Sequence, residues 1–580
     1  MVRLKNRFAT ELVDAAYSVG VHLSVAGALG FAISLLFLAY PIYMMQVYDR
    51  VVTSHSESSL LLLTLIAALA TLTNGALDAL RSEILIRGSL RVERRLAKRT
   101  VGAIIDTARK LPGEPTGQAL RDLDTLRQFF SSPAVLAVLD IPWIPVNVIV
   151  VFILHPVAGL FTTGAIVLLI ALGVINEIVT GRSMRQSNAR GLENYEFTDS
   201  AVRNADVVHA MGMFEGLTRK WSVSRDDMLL QQLIASERSA WFTAISRFLR
   251  QYLQILSIGI GAFLVIDMGM SVGGMYAIAM LLGRAIQPVD MLINSWRPVL
   301  TSFAAFQRLN DLLLAQPPRQ ATIALPRPKG QISVERLVFS PPDSGKQIIS
   351  GITFDMRPGA AVALIGPSGA GKSTLARLMV GALQPTSGHC RLDGADVATI
   401  DMGQMGQHVG FLPQDIELFA ASVRDNITRL AEGDDAKVIE AAKLAGIHEL
   451  IMRLPQGYHT ELKASGGQLS AGQRQRLGLA RAVYGMPAFL VLDEPNSNLD
   501  LEGEQSLIHC LQHMRANGTT MVLITHRPHL LNIVEDVIVL REGVIEQAGS
   551  RDEVLRRLVK VADNTAQAPA PAPAMTQQGA

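Results

Sequence analysis

The residues most able to do chemistry form one run, Gly366-Pro367-Ser368-Gly369-Ala370-Gly371-Lys372-Ser373-Thr374. Glycines at this spacing let successive backbone N–H groups curl round phosphate oxygens, and a helix beginning at the loop's end adds its positive pole. Lys372 is set to reach the β- and γ-phosphates, and the Ser373 hydroxyl to bind Mg²⁺. Context decides between such a site and a structural glycine turn. Here Ala361 to Ile365 reads as a buried strand and Leu375 to Leu383 as a helix, the strand–loop–helix order that a nucleotide site needs.

A second group of polar residues follows apolar runs short enough to be buried strands. Phe489 to Leu492 ends in Asp493-Glu494, and Met521 to Thr525 ends in His526. Asp493 is placed to hold the magnesium and Glu494 to orient or deprotonate an attacking water. A neutral His526 could contact the γ-phosphate, although a single histidine after a strand also serves structure alone. Gln414, in Leu412-Pro413-Gln414-Asp415, says little by itself.

Between the loop and the acidic pair lies Leu469-Ser470-Ala471-Gly472-Gln473, and after the pair Asn498-Leu499-Asp500. Taken with Gln414 and His526, this order resembles the full motif set of the ABC (ATP-binding cassette) ATPases, across nearly all of Gln331 to Val561. The resemblance implies that ATP binds along Gly366 to Thr374, and that Ser373, Gln414 and Asp493 surround Mg²⁺. It implies that Glu494 and His526 act in hydrolysis. Ser470, Gly472 and Gln473 would meet the nucleotide of a second protomer, and Asp500 would belong to the loop joining the two sites. One chain alone would then lack a competent site. Two positions depart from the pattern. Ala471 replaces a glycine, and Phe339-Ser340-Pro341-Pro342 has proline where such exporters place an adenine-stacking tyrosine.

The elements that must position these groups are only partly soluble in character. The 580 residues are 49% hydrophobic and 18% charged, against roughly 25% charged in soluble proteins, and imply several domains with part of the chain in lipid. Spanning the hydrocarbon takes about 20 apolar residues. Six runs qualify: Val21 to Met45, Ser59 to Leu80, Ala134 to Leu154, Val157 to Val179, Tyr252 to Met268 and Val272 to Ile293. Asp140, Pro142 and Pro145 interrupt the third. Arg81 to Arg127 holds eleven Lys/Arg against six Asp/Glu, Thr180 to Arg250 is also basic, and Arg3, Lys5 and Arg7 precede the first span. The positive-inside rule puts these segments, and both termini, in the cytoplasm. Ile84 to Leu111 and Ser187 to Leu233 have few helix breakers and should extend the spans as helices. Bends are predicted near Pro112 to Gly117 and near Asn204-Ala205-Asp206.

The predicted organisation is an N-terminal segment (1–20), a membrane domain (21–315), a proline-bearing linker (316–330), a nucleotide-binding domain (331–562) and a disordered Ala/Pro/Gln-rich tail (563–580). A net charge of +2 gives no reason to expect nucleic acid as a partner. Cys390 and Cys510 are too few and too far apart for a disulfide framework or zinc site, and read as reduced, buried thiols. No cleavable secretion signal is evident.

Six spans followed by one ATPase domain is similar to a half-transporter exporter: an all-α six-helix membrane domain of the type I ABC exporter fold, then an α/β P-loop domain. Val47-Tyr48-Asp49-Arg50-Val51-Val52, Asp140-Ile141-Pro142-Trp143-Ile144-Pro145, Asn204 to Met213 and Leu282 to Val289 resemble the type I secretion exporters, most of all their protease/lipase-exporting branch. That resemblance implies a homodimer in the lipid of the bacterial inner membrane, a periplasmic adaptor (membrane fusion protein), an outer-membrane channel of the TolC type and an unfolded polypeptide substrate. With about twenty residues before the first span there is no room for a peptidase-like domain, which favours cargo with an uncleaved C-terminal signal. An exporter of lipids or small amphiphiles is the alternative. A non-pumping scaffold fits less well with Lys372, Glu494 and His526 all in place. Arg284, about thirteen residues into the sixth span, either lines the polypeptide path or pairs with a neighbouring helix, through Asp290 or Asn294. Met268, Met270, Met275, Met280 and Met291 are either a soft lining or bundle packing.

Overall fold

The structure is a computed structural model and describes residues 8–110, 117–317, 325–341, 345–463 and 467–557. The chain divides into two compact units, one of Met1–Ala108 with Pro112–Pro318, the other of Arg109–Leu111 with Arg319–Ala580.

The first unit is helical. Six of its described helical stretches are long and apolar enough to cross a membrane: Thr10–Ser54, Glu57–Lys110, Pro133–Leu154, Pro156–Gly181, Phe214–Met268 and Val272–Asn294. Each holds one of the six predicted runs, because without water only a helix or a closed barrel satisfies its own backbone. The basic segments continue the spans, so Glu57–Lys110 runs 54 residues, Pro156–Arg203 runs 48 and Phe214–Met268 runs 55. The last two lie side by side, with Ser187 Oγ donating to the Met228 carbonyl at 3.2 Å. Their junction is the bend predicted at Asn204-Ala205-Asp206, where Asn204 closes one helix and a short helix Ala205–Ala210 leads into the next. The bend at 112–116, the tail 563–580 and the residues Arg3, Lys5 and Arg7 lie outside the described residues.

The third span breaks where its prolines predict. Helix Pro133–Asp140 passes through a 3₁₀ turn, Ile141–Trp143, into helix Ile144–Leu154. Its charge is met by Arg81 of the second span, 2.7 Å from Asp140, and both pack so closely on Gly30 that a Cβ there would lie 3.1 Å from Asp140 Oδ1. The sequence motif at Val47–Val51 forms a π-helical turn, and Asp49 Oδ1 accepts from the Gly273 N–H at 2.9 Å, joining the first and sixth spans.

Two expectations about the sixth span need correction or division. Arg284 pairs with neither Asp290 nor Asn294. Asp290 is taken by Arg250 at 2.5 Å, and Asn294 donates to the Asp290 carbonyl at 2.8 Å. Residues at i and i+6 on a helix point about 120° apart, whereas Arg250 on the adjacent span reaches Asp290 directly. Among the methionines, Met270 packs against the Leu264 and Ile278 cluster, and Met275 fills the space over Gly261.

The described residues of the second unit form ten strands: β1 Ile332–Phe339, β2 Ile349–Met356, β3 Ala361–Ile365, β4 Ser387–Leu392, β5 Ala395–Asp396, β6 Val409–Leu412, β7 Phe489–Asp493, β8 Thr520–Ile524, β9 Asp536–Arg541 and β10 Val544–Ser550. They make an antiparallel sheet of order β2-β1-β4-β5 and a six-stranded sheet of order β10-β9-β3-β8-β7-β6, parallel except at β10. Strands β7 and β8 are buried throughout, which is why they read as unbroken apolar runs rather than alternating ones. Register places Leu364 opposite Ile524, Ile524 opposite Asp493 and Leu412 opposite Leu492. The carboxyl ends of β3, β8, β7 and β6 therefore share one edge, the edge where open parallel sheets hold their ligands.

Candidate functional site

That edge gathers the glycine loop, Gln414, Asp493, Glu494 and His526. The loop Gly366 to Thr374 leaves β3 and enters helix Lys372–Met379. Gly366 has φ 148° and lies so close to the Leu540 carbonyl that a Cβ would stand 2.1 Å from it, so no other residue fits. Lys372 Nζ donates back to the carbonyls of Gly366 and Pro367, at 2.8 and 2.9 Å, and so hangs over the loop's own concavity. Burial lowers its pKa from the ordinary lysine value, while Glu494 and Asp493 act in the opposite sense.

Asp493 closes β7 and is buried. Burial pushes its pKa up, and the Ser373 hydroxyl, hydrogen-bonded to it, pulls the other way. Its Oδ1 has no hydrogen-bond partner among the described residues. A carboxylate oxygen left unmatched in a buried position beside the Ser373 hydroxyl is what a magnesium site needs, so the residues present fit that ion.

Glu494 is the next residue and takes φ 48°, a left-handed conformation that costs a non-glycine residue of order 1 kcal/mol or more. Its N–H is held by the Ile524 carbonyl at 3.0 Å, and Gln475 Nε2 donates to its carbonyl at 3.1 Å. With the backbone pinned on both sides, the side chain is turned away from the strand. Gln414 Nε2, just beyond β6, donates to Glu494 Oε2 at 3.4 Å, beside the backbone pairing of β6 with β7. His526 follows β8 and is exposed; beneath it Thr525 Oγ1 donates to Asn496 Oδ1 at 3.4 Å.

The pentapeptide is a helix start. Ser470 caps helix Ala471–Val483 in a reciprocal box: Gln473 N–H donates to Ser470 Oγ at 3.2 Å, and Ser470 N–H donates to Gln473 Oε1 at 2.9 Å. Ala471 is exposed. Gly472 faces the Asn498 carbonyl, which a Cβ would approach to 2.6 Å. Asp500 caps helix Leu501–Ala516 through the Gly503 N–H at 2.8 Å and pairs with Arg476 at 2.7 Å. The Gly503 amide, and then Arg476, hold its carboxyl below the usual range. Among the described residues no hydrogen bond joins Ser470, Gly472 or Gln473 to the glycine loop. The loop, Asp493, Glu494 and Gln414 form one group; the pentapeptide forms another.

Two residues that motif reading passed over hold these groups in place. Gln475 is buried on the helix that Ser470 caps. Besides the Glu494 carbonyl it receives Ser497 Oγ at 3.3 Å and Asn498 Nδ2 at 3.0 Å on its Oε1. The signal was present: Gln475 shares a face with Leu479 and Ala482, a polar residue at an apolar position. Arg429 donates to the carbonyls of Arg481 and Ala482, each at 3.1 Å, and of Val409 at 3.0 Å, so it ties the far end of that helix to β6. Burial lowers its pKa to about 10. Nothing in the local sequence marked it.

On the adenine side, Phe339 is packed against the core and Pro341 is half-buried.

Comparison with known proteins agrees with this geometry. Residues 349–497 match the ABC transporter family and residues 23–289 the ABC transporter transmembrane region. The chain is 39% identical over 543 residues to the type I secretion system ATP-binding protein PrsD of Rhizobium meliloti (strain 1021), covering 93% of each chain. It is 29% identical to the toxin RTX-I translocation ATP-binding protein of Actinobacillus pleuropneumoniae, over 89% of this chain and 74% of that one. The leukotoxin translocation ATP-binding protein LktB of Mannheimia haemolytica is 28% identical, over 90% and 74%. The fold is that of a bacterial Atm1-family ABC exporter solved with ATP bound: TM-score 0.79, 21% identity, 95% of this chain and 99% of that one. The chain belongs to the ABC transporters of type I secretion systems and is an ATP-hydrolysing, membrane-spanning member of that family.

Proposed function

We propose that this protein uses ATP hydrolysis to drive unfolded polypeptides bearing a C-terminal secretion signal across the bacterial inner membrane. It works as a homodimer with a periplasmic adaptor and an outer-membrane channel of the TolC type. Residues 21–315 form the membrane domain and 331–562 the ATPase, with the ATPase and both termini in the cytoplasm. What carries the reading is the likeness to PrsD over 93% of both chains, which takes in the spans as well as the ATPase. The names of the RTX-I and leukotoxin relatives point to the same class of cargo.

In this reading the backbone of Gly366 to Thr374 and Lys372 bind the ATP phosphates. Ser373, Asp493 and Gln414 hold Mg²⁺, which when bound neutralises charge on the phosphate oxygens. Glu494 orients the attacking water and takes its proton, with Gln414 beside it. His526 contacts the γ-phosphate. Ser470, Gly472 and Gln473 complete the site of the second copy, and Asp500 lies between the two. The separation of the pentapeptide from the loop within one chain supports this division of labour. With Pro341 in place of an aromatic ring, adenine is held loosely.

The test is ATP hydrolysis by the full chain in lipid, with and without peptides ending in candidate C-terminal signals, together with co-purification of an adaptor. Stimulation by such peptides is expected. Stimulation by lipids or small amphiphiles alone would replace polypeptide export with the alternative cargo.

A further inference from the structure

An arginine in the middle of a span costs at least ~2.5 kcal/mol unless it faces water or a counter-ion. Arg284 in the sixth span and Arg81, next after the run Ser59 to Leu80 on the second helix, meet that demand differently. Arg81 is 2% exposed, pairs with Asp140 at 2.7 Å and donates to the Leu136 carbonyl at 3.3 Å. Arg284 makes no ion pair among the described residues. Its Nη1 donates to Gln287 Oε1, one turn along its own helix, at 2.9 Å, and its guanidinium lies 5.0 Å from the centre of the Phe37 ring. Asp140, Arg81 and Asp78 act on its charge from further off. Asp140 is already claimed by Arg81, and Arg81 repels Arg284. Asp290, the one carboxylate on the same helix, is claimed by Arg250.

The surroundings of Arg284 are polar on one side only. Along Val272–Asn294, Leu281, Leu282, Ala285, Ile286 and Val289 are buried in the bundle. Gly283, Gln287 and Asn294 are exposed, and Arg284 is half-exposed between the two faces. Asp78 on the second span is exposed as well. A polar face on a membrane span does not turn to hydrocarbon; it turns to water or to protein. In a two-fold dimer both copies present the same face, and two guanidinium groups cannot neutralise each other.

We propose that Arg284 is a carboxylate-binding station on the transport path, engaging Asp or Glu side chains, or the terminal carboxylate, of an unfolded polypeptide in transit. This rests on the export reading above and adds a substrate preference to it. The planar fork of Arg284 suits a carboxylate, and Gln287 and Phe37 hold that fork without spending its charge. The grip must be transient, since a moving chain has to leave. One charge-assisted contact fits that need.

The full chain in phosphatidylcholine nanodiscs is tested with unfolded peptides of equal length: an acidic one, the same amidated at its C-terminus, and a neutral one, amidated and with Asn and Gln replacing Asp and Glu. ATPase stimulation and peptide binding are both read. In Arg284→Gln the half-maximal concentration of the acidic peptide should rise about tenfold, as loss of one charge-assisted hydrogen bond gives, while the neutral peptide acts as on wild type. Arg284→Lys should recover most of the difference. Loss of the Arg284→Gln effect on amidation of the acidic peptide would assign the terminal carboxylate as the ligand, and no effect of amidation would assign the side chains. If Arg284→Gln does not assemble, the wild type alone decides, because only the acidic peptide's response should weaken with added salt. Equal action of acidic and neutral peptides on wild type, or an equal shift of both in Arg284→Gln, would overturn the station and leave export standing. Failure of every peptide to bind or stimulate the wild type would overturn both.

Discussion

Gln475 Nε2 donates to the main-chain carbonyl of Glu494 at 3.1 Å, and the same side chain receives Asn498 on its other end. One buried amide thus joins the helix capped by Ser470, the residue at the end of β7 and the segment leading to Asp500. Replacing Gln475 with Leu should leave ATP binding close to wild type and lower kcat by about 10–100-fold, since Glu494 loses its backbone anchor. Nucleotide binding and turnover measured on the same preparation check this. A rise in the ATP Kd with kcat preserved would place Gln475 in binding instead.

Glu494→Gln should retain ATP and reduce hydrolysis by about 10²–10⁴-fold, the range attributed to a general base. Undiminished hydrolysis would remove Glu494 from that role. For Asp493 the effect of pH follows from burial. Its raised pKa means that protonation begins at a higher pH than for an ordinary carboxylate, so Mg²⁺ affinity should weaken as pH falls. Magnesium titrations at a series of pH values test the sign.

At the pentapeptide the two small residues are not equivalent. Ala471 is exposed at the helix start, whereas a Cβ on Gly472 would press to 2.6 Å of the Asn498 carbonyl. Ala471→Gly should leave hydrolysis within about twofold of wild type, the modest effect of a surface change. Gly472→Ala should displace the segment before Asp500 and cut the rate severely. Equal rates in the two variants would show that this contact does not matter.

Pro341→Tyr should tighten ATP binding and sharpen preference over GTP, because ring stacking on a base is worth about 1–3 kcal/mol. Competition binding with ATP and GTP measures it. A wild type already strict for ATP would count against loose adenine recognition.

Cys390 and Cys510 are free and buried, and burial pushes both thiols up to about 12. Between an unfolded thiol's pKa of about 8.5 and that value, the folded protein keeps both protons while the unfolded chain sheds them. The unfolded state then binds fewer protons, so stability falls as pH rises through this window. Denaturation midpoints should drop over that range. Alkylation at about pH 8 should be negligible until the protein is unfolded.

The sequence by itself determined the phosphate loop, the acidic strand end, the histidine after the next strand and the six spans. These are local: a strand, a tight turn and a helix start are set by a few neighbouring residues, and a span by one apolar run. Even the break at Asp140 to Pro145 and the bend at Asn204 were written locally.

Only tertiary structure decided which groups meet. The helix pattern marks Gln475 as a polar residue at an apolar position, but only the fold places Glu494, Ser497 and Asn498 around it. Arg429 bears no motif and matters only because three carbonyls from distant segments converge on it. In the membrane unit, one reading of Arg284 paired it with a neighbouring helix, through Asp290 or Asn294. Packing instead gave Asp290 to Arg250 and gave Arg81 to Asp140. The reason is the same each time: a periodic pattern fixes which face a residue occupies, but a partner lies across an interface whose register depends on the whole bundle. Arg284 was thereby left without a counter-ion among the described residues.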